Sequence, residues 1–164
     1  MKNTRFLLLV VLICGLAVIG FKAAASAPQN QQKEVEAATA EFYSALGALF
    51  QGETKPMEEA WSHADDVTYM GPDGAYLVGW EAVSANWKKQ AEKKLGGEVH
   101  PENTHINAGS DLAVVHCYEK GKNTNAEDGK PVDVSIRATS VFRKENGKWK
   151  MIGHHTDELA FLKK

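Results

Sequence analysis

Cysteine is nearly absent from this 164-residue chain, which has only Cys14 and Cys117. Cys14 lies in an N-terminal leader, so the rest of the chain holds one thiol and can form no internal disulfide. Cys117 sits in an apolar segment, which suits a small buried hydrophobe better than a reactive thiol. An excess of positive charge is also missing: 19 Lys and Arg stand against 21 Asp and Glu, for a net charge of −2. No basic stripe marks the chain, which argues against a nucleic-acid partner. There are no internal repeats and no nucleotide, metal or haem motif, so no cofactor and no metal are expected. One domain is the default for this length.

What is present begins with a leader. Lys2 and Arg5 form a basic start, residues 6–21 are almost wholly apolar, and "KAAASA" follows at 22–27. That is the pattern of a secretory signal peptide over residues 1–25. Ala23 and Ala25 fit the small-residue cleavage rule, with Ser26 as the new first residue. The apolar run of 16 residues is short for a transmembrane helix, so membrane contact is expected only if the leader is uncleaved. Ile13 precedes Cys14 where a lipoprotein signal needs a small residue, which removes that reading. Cleavage leaves 139 residues, enough for one core. The leader carries three basic residues and no acid, so the mature charge is −5. The expected localisation is periplasmic or secreted.

Residues 26–32 read as a polar tether and residues 33–164 as the domain. From Lys33, the residues Val35, Ala38, Phe42, Leu46 and Leu49 recur at helical spacing. Tyr43, Gly47 and Phe50 form an adjacent stripe, so this helix is buried on a broad face, and Gly52 is its stop. "KPMEEAWSHADD" at 55–66 predicts a short helix with Pro56 in its first turn. Short strands at 67–70 and 75–78 flank the turn signal "GPDG". A helix then starts near Gly79 with Trp80, Val83, Trp87 and Ala91 as its apolar stripe, Lys88, Lys89, Lys93 and Lys94 as its solvated side, and Gly96–Gly97 as its end. Strands follow at 98–107, 111–121, 132–142 and 149–156, the last two joined by a turn with an Asn-Gly step. Helices first and a meander afterwards predict an α+β layer fold. Its curved, mostly antiparallel sheet wraps round three N-terminal helices as a cone, and such a cone leaves a pocket at its mouth.

The order of elements, with "WSHADDVTYMGPDGAYLVGW" (61–80) and "RATSVFRKENGKWKMIGHHTD" (137–157), resembles the SnoaL-like group of the nuclear transport factor 2-like superfamily. The resemblance spans roughly residues 35–158 and implies the same cone. It does not imply one function, because this cone hosts isomerases, dehydratases, cyclases, hydrolases, transport factors and assembly domains. Ketosteroid isomerases of the superfamily need an Asp base and an oxyanion hole of Tyr with a protonated Asp. Those positions correspond here to Gly71, Phe42, and Thr139 or Ser140, so that chemistry is not retained. The chain is also similar to the association domain of calcium/calmodulin-dependent kinase II, in "GKP" at 129–131, "NGKW" at 146–149 and Trp87. The pocket arginines of that domain fall at Ser140 and Thr156, where this chain has hydroxyls.

The chain closes with "GKWKMIGHHTDE" at 147–158. In a regular strand Ile152, His154 and Thr156 share one face, and Met151, Gly153 and His155 the other. The resemblance implies that Ile152, His154 and Thr156 look into the cavity and that His155 faces the convex side, where such domains dimerise. Adjacent strand histidines point apart and cannot chelate one ion together. His154 is either a hydrogen-bonded wall residue, a ligand contact or a general acid/base, a role the imidazole class suits.

Tyr43, Tyr69, Trp87 and Ser140 join the expected ligand-contacting set. His116 and Tyr118 share one face of their strand, and they belong to the set if that face is inward. Arg137 reads as a salt-bridge or interface residue, and His63, Asp65 and Asp66 as structural. The expected function is binding of a small, partly apolar organic molecule by an exported homodimer associating through its convex sheet face. The alternative is a cofactor-independent isomerase, dehydratase or hydrolase using His154.

Overall fold

The computed structural model describes residues 27–125 and 128–157. The expected signal peptide, residues 1–25, lies outside them. Helix α1 (Ala27–Phe50) comes first. It begins before Lys33, so residues 28–32, expected as a tether, are its opening turns. Side-chain bonds one turn apart support them, Asn30 to Glu34 at 2.8 Å and Gln32 to Glu36 at 3.2 Å. Val35, Ala38, Phe42, Ala45, Leu46 and Leu49 are buried along one face, and Tyr43 and Phe50 widen it. The helix stops at Gly52, which takes a φ of +98° while its N–H donates to Leu49 O at 2.9 Å and the Glu53 N–H donates back to Ala48 O at 3.0 Å.

Helix α2 (Lys55–Ala60) is shorter than the predicted 55–66, because Trp61 leaves the helix to bridge Met151 and Ser62 N–H donates to Met151 O at 2.9 Å. Strands β1 (Thr68–Met70) and β2 (Tyr76–Val78) are short, helix α3 (Trp80–Glu92) follows, and β3 (Glu98–Ala108), β4 (Leu112–Thr124), β5 (Pro131–Glu145) and β6 (Lys148–Asp157) form the meander. The described strands make one six-stranded sheet in the order β2-β1-β6-β5-β4-β3. The β1–β6 pair is parallel and the others antiparallel. The α+β cone is therefore as expected, with the helices against the concave face of the sheet.

Two irregularities bend the sheet. Pairing of β3 with β4 shifts between Glu102 and His105, where Asn103 has a φ of +53°. Pairing of β5 with β6 shifts between Val141, opposite Gly153, and Phe142, opposite Met151. Ile152 is thus an extra residue on β6. Such bulges kink a strand and increase its twist, which is how a sheet of long strands curls round three helices. At the start of β3 the backbone of β4 comes so close to Gly97 (φ +75°) that a Cβ there would sit 1.9 Å from Lys122 O.

Candidate functional site

Four elements bring polar side chains together inside the cone. Along β4, Ala113, Val115, Cys117 and Glu119 are buried in strict alternation. Glu119, at 4 % exposure, ends this inward row as a carboxylate. From α1, the Tyr43 hydroxyl donates to Glu119 Oε1 at 3.0 Å and lies 3.1 Å from Cys117 Sγ. A tyrosine has one hydroxyl proton, so with that proton on the carboxylate the thiol is the donor in the second contact. From β6, His154 Nε2 approaches the same Oε1 at 3.3 Å. From β5, Ser140 Oγ meets His154 Nδ1 at 3.0 Å. An imidazole with its proton on Nε2 satisfies both neighbours: it donates to Glu119 and accepts from Ser140.

The surroundings of this cluster are apolar. Phe42 packs its ring against His154 at 4.8 Å, and Tyr69, paired with His154 across β1 and β6, stacks near it at 6.2 Å. Trp87 meets Tyr69 edge-on at 4.7 Å. Burial pushes the Tyr43 phenol well above its ordinary value, with the Glu119 charge adding to the effect. Tyr69 is raised by burial first, then by Asp73 and Glu119. Burial likewise raises the Cys117 thiol. All three are therefore protonated, hydrogen-donating groups at neutral pH.

A cavity of about 380 Å³ opens above the cluster. Phe42, Leu46, Leu49, Phe50, Tyr69 and Trp87 give it an apolar wall, and Glu119, His154 and Thr156 give it a polar floor. Asp73, Gln90, Lys93, Asn123 and Asp133 add polar groups to its lining. The volume falls within the range of small-molecule sites.

Of the residues expected to contact a ligand, Tyr69, Trp87, His154 and Thr156 line this cavity. Tyr43 and Ser140 are buried behind the floor and bond Glu119 and His154 respectively. The other three are placed differently. Ile152 is half-buried and does not line the cavity, because the bulge makes it the extra residue of β6. The bulge switches the alternation, so the inward set is Trp149, Met151, His154 and Thr156, and Met151 is not on the face of His155. His116 and Tyr118 are exposed on the convex side, since their strand turns Cys117 and Glu119 inward.

On that convex side His105 pairs with His116, His116 with Thr139, and Thr139 with His155 across four strands. These residues line a second concavity with Tyr118 and the bidentate Arg137–Asp157 ion pair. Glu119 is the functional candidate that sequence reasoning missed. Its signal was available: it shares strand parity with Cys117, whose burial the sequence did suggest. Among the described residues no cluster of three or more His, Cys, Asp or Glu side chains could hold a metal ion.

The comparisons with known proteins concern the whole cone. No protein of curated function matches the sequence. A proposed dehydratase of the nuclear transport factor 2-like family from Streptomyces avermitilis is similar in structure at a TM-score of 0.71 and 22% identity, over 81% of this chain and 99% of that one. A proposed calcium/calmodulin-dependent protein kinase type II association domain from Thiobacillus denitrificans is similar at 0.63 and 27% identity, over 76% and 94%. The association domain of the C. elegans kinase is similar at 0.64 and 14%, over 81% and 99%. The SnoaL-like domain matches residues 35–156, which run from the first buried valine of α1 to the inward threonine at the end of β6, and the chain belongs to that family.

Proposed function

We propose that the protein binds a small, partly apolar organic molecule in the cone cavity. The observation that carries this reading is the cavity itself: about 380 Å³, walled by aromatic and aliphatic side chains, with the buried Glu119–His154 pair at its floor. A cone whose function was assembly alone would gain stability by filling that space with side chains. The test is titration of the mature chain with a panel of mono- and bicyclic compounds, followed by intrinsic tryptophan fluorescence, which Trp87 reports. Saturable binding that disappears in Val134→Trp, a variant that fills the cavity from its half-buried rim, supports the reading. A panel without a binder overturns it.

A second reading is favoured by one observation. His154 is held between Ser140 and a buried carboxylate, an arrangement that suits proton transfer in a cofactor-independent isomerase, dehydratase or hydrolase. Turnover of any bound panel member, lost in His154→Gln, distinguishes it from binding alone.

Two further proposals concern the setting of the domain. The leader pattern supports export, checked by N-terminal sequencing of the secreted or periplasmic product, which is expected to begin at Ser26. The likeness to association domains and the exposure of Leu112 and Tyr118 on β4 support a homodimer through the convex sheet face. Sedimentation equilibrium tests it, and a monomer at tens of micromolar (an order-of-magnitude concentration for weak dimers) speaks against it.

A further inference from the structure

The cavity carries an uneven charge. Asp73 and Glu119 line it against one lysine, Lys93, while the exposed Asp133 is paired with Lys122 at 3.7 Å, so with a neutral imidazole the lining keeps one negative charge in excess. The deepest of these charges, on Glu119, has one oxygen without a protein partner. Both protein contacts to the Glu119 carboxylate, from Tyr43 and from His154, fall on Oε1. Oε2 accepts no hydrogen bond from any described residue, although the side chain is only 5 % exposed. Nor is Oε2 among the buried atoms sealed away without a partner, so its open side is the cavity that Glu119 lines. A buried carboxylate oxygen left open is costly unless something entering the site meets it. Around it stand the rings of Phe42, Tyr69 and Trp87, whose faces attract cations.

We propose that the occupant of the cone cavity is a lipophilic amine, bound as its ammonium ion, with an N–H donated to Glu119 Oε2 and its apolar body against the aromatic wall. The inference rests on the cavity-binding reading above and specifies the ligand class. A carboxylic acid would bring a second negative charge beside Glu119. A neutral alcohol would satisfy Oε2 but leave the negative excess uncompensated. A charge-assisted bond in a water-poor site discriminates among these more strongly than it would in water. Tyr43 and His154 act here as positioning residues: their bonds hold Oε1, and the carboxylate plane then presents Oε2 to the cavity.

The test uses three probes with one bicyclic body: naphthylmethylamine, naphthylmethanol and naphthoic acid. Calorimetric titration of the mature chain at neutral pH is expected to show the amine bound about tenfold or more tighter than the alcohol, and the acid weakest, as a charge-assisted bond predicts. Glu119→Gln keeps the shape and both bonds to Oε1. It is expected to bring amine and alcohol to within about threefold of each other, chiefly by weakening the amine. Glu119→Asp, which retains the charge, serves if the amide variant does not fold, and is expected to keep the preference for the amine. Alcohol or acid binding as tightly as the amine overturns the proposal and leaves cavity binding standing. An amine preference that survives in Glu119→Gln also overturns it. If none of the three probes binds, the proposal falls, and with no binder in the wider panel the cavity-binding reading falls with it.

Discussion

His154 Nε2 lies 3.3 Å from Glu119 Oε1, with the two side chains 4 % and 5 % exposed. They come from strands separated by β5, so the pair ties the two flanks of the inner sheet face together beneath the cavity. It also places an acceptor and a donor beneath the aromatic and aliphatic wall.

That relationship predicts a non-additive stability effect. His154→Leu leaves the Glu119 carboxylate buried with the Tyr43 bond alone, and is expected to cost about 1–3 kcal/mol, the penalty for a buried acceptor that loses a hydrogen-bond donor. The double variant Glu119→Leu/His154→Leu removes that acceptor and is expected to recover much of that loss. Chemical denaturation of the single and double variants measures the coupling, and additive losses would show that the two side chains do not act as a pair.

The bulge in β6 makes a prediction about chain length. Deleting Ile152 joins Met151 to Gly153, so Phe142 and Val141 meet their present partners in an unbroken ladder and His154 stays inward. The deletion variant is expected to fold, with a loss in the ordinary range for a point change, about 1–3 kcal/mol. Inserting an alanine between Gly153 and His154 turns His154 and Thr156 outward, and is expected to abolish the cooperative unfolding transition. Circular dichroism on heating separates the two, and equal tolerance of both changes would contradict the assigned register.

Acid stability should depend on Asp66. Its carboxylate takes two bonds from Arg143, at 2.6 and 3.1 Å, and this holds its pKa below the ordinary value. A depressed carboxyl pKa adds stability above the unfolded-state value of about 3.9, and that stability is lost as pH falls through the folded-state value. Asp66→Asn is therefore expected to be slightly less stable than the parent at neutral pH, by less than about 1 kcal/mol because the pair is exposed. The gap should close below about pH 4. Denaturant midpoints across pH 2–7, a range set about that carboxyl value, check the sign. A gap that widens on acidification contradicts the assignment.

Two glycines should respond in opposite directions to the same substitution. Gly47 lies inside α1 with nothing within 4 Å of an added Cβ, so Gly47→Ala is expected to stabilise by up to about 1 kcal/mol. Gly97 holds a positive φ against the Lys122 carbonyl, so Gly97→Ala is expected to destabilise by several kcal/mol, about the cost of a forced backbone shift. Melting temperatures of the two variants decide it.

The cone was legible in the sequence because its signals are periodic. The Val35–Ala38–Phe42–Leu46–Leu49 stripe, the "GPDG" turn and the alternation from Val132 to Phe142 each fix an element without tertiary knowledge. The site was legible only in part, because strand parity decides which side chains meet. Regular alternation puts Ile152 on the face of His154, and that counting fails across a bulge that no residue in "KMIGHH" announces. His116 and Tyr118 were candidates on chemical grounds, and the neighbouring Cys117 carried the parity that excludes them. The same parity puts Glu119 inside, against the ordinary preference of a carboxylate for water. A buried charge of that kind reads as surface until its partners, Tyr43 and His154, are seen to converge from α1 and β6.

The most direct test of the cavity as the working site is to watch the histidine rings by NMR, using ¹⁵N-histidine-labelled protein titrated with naphthylmethylamine. The chain supplies its own controls: His154 at the cavity floor, and His105, His116 and His155 exposed on the convex face. The His154 resonances are expected to move with a saturable dependence on probe while those of the three convex-face rings stay in place. Movement of the convex-face rings with His154 unchanged would contradict it and place the binding site on the outside of the sheet.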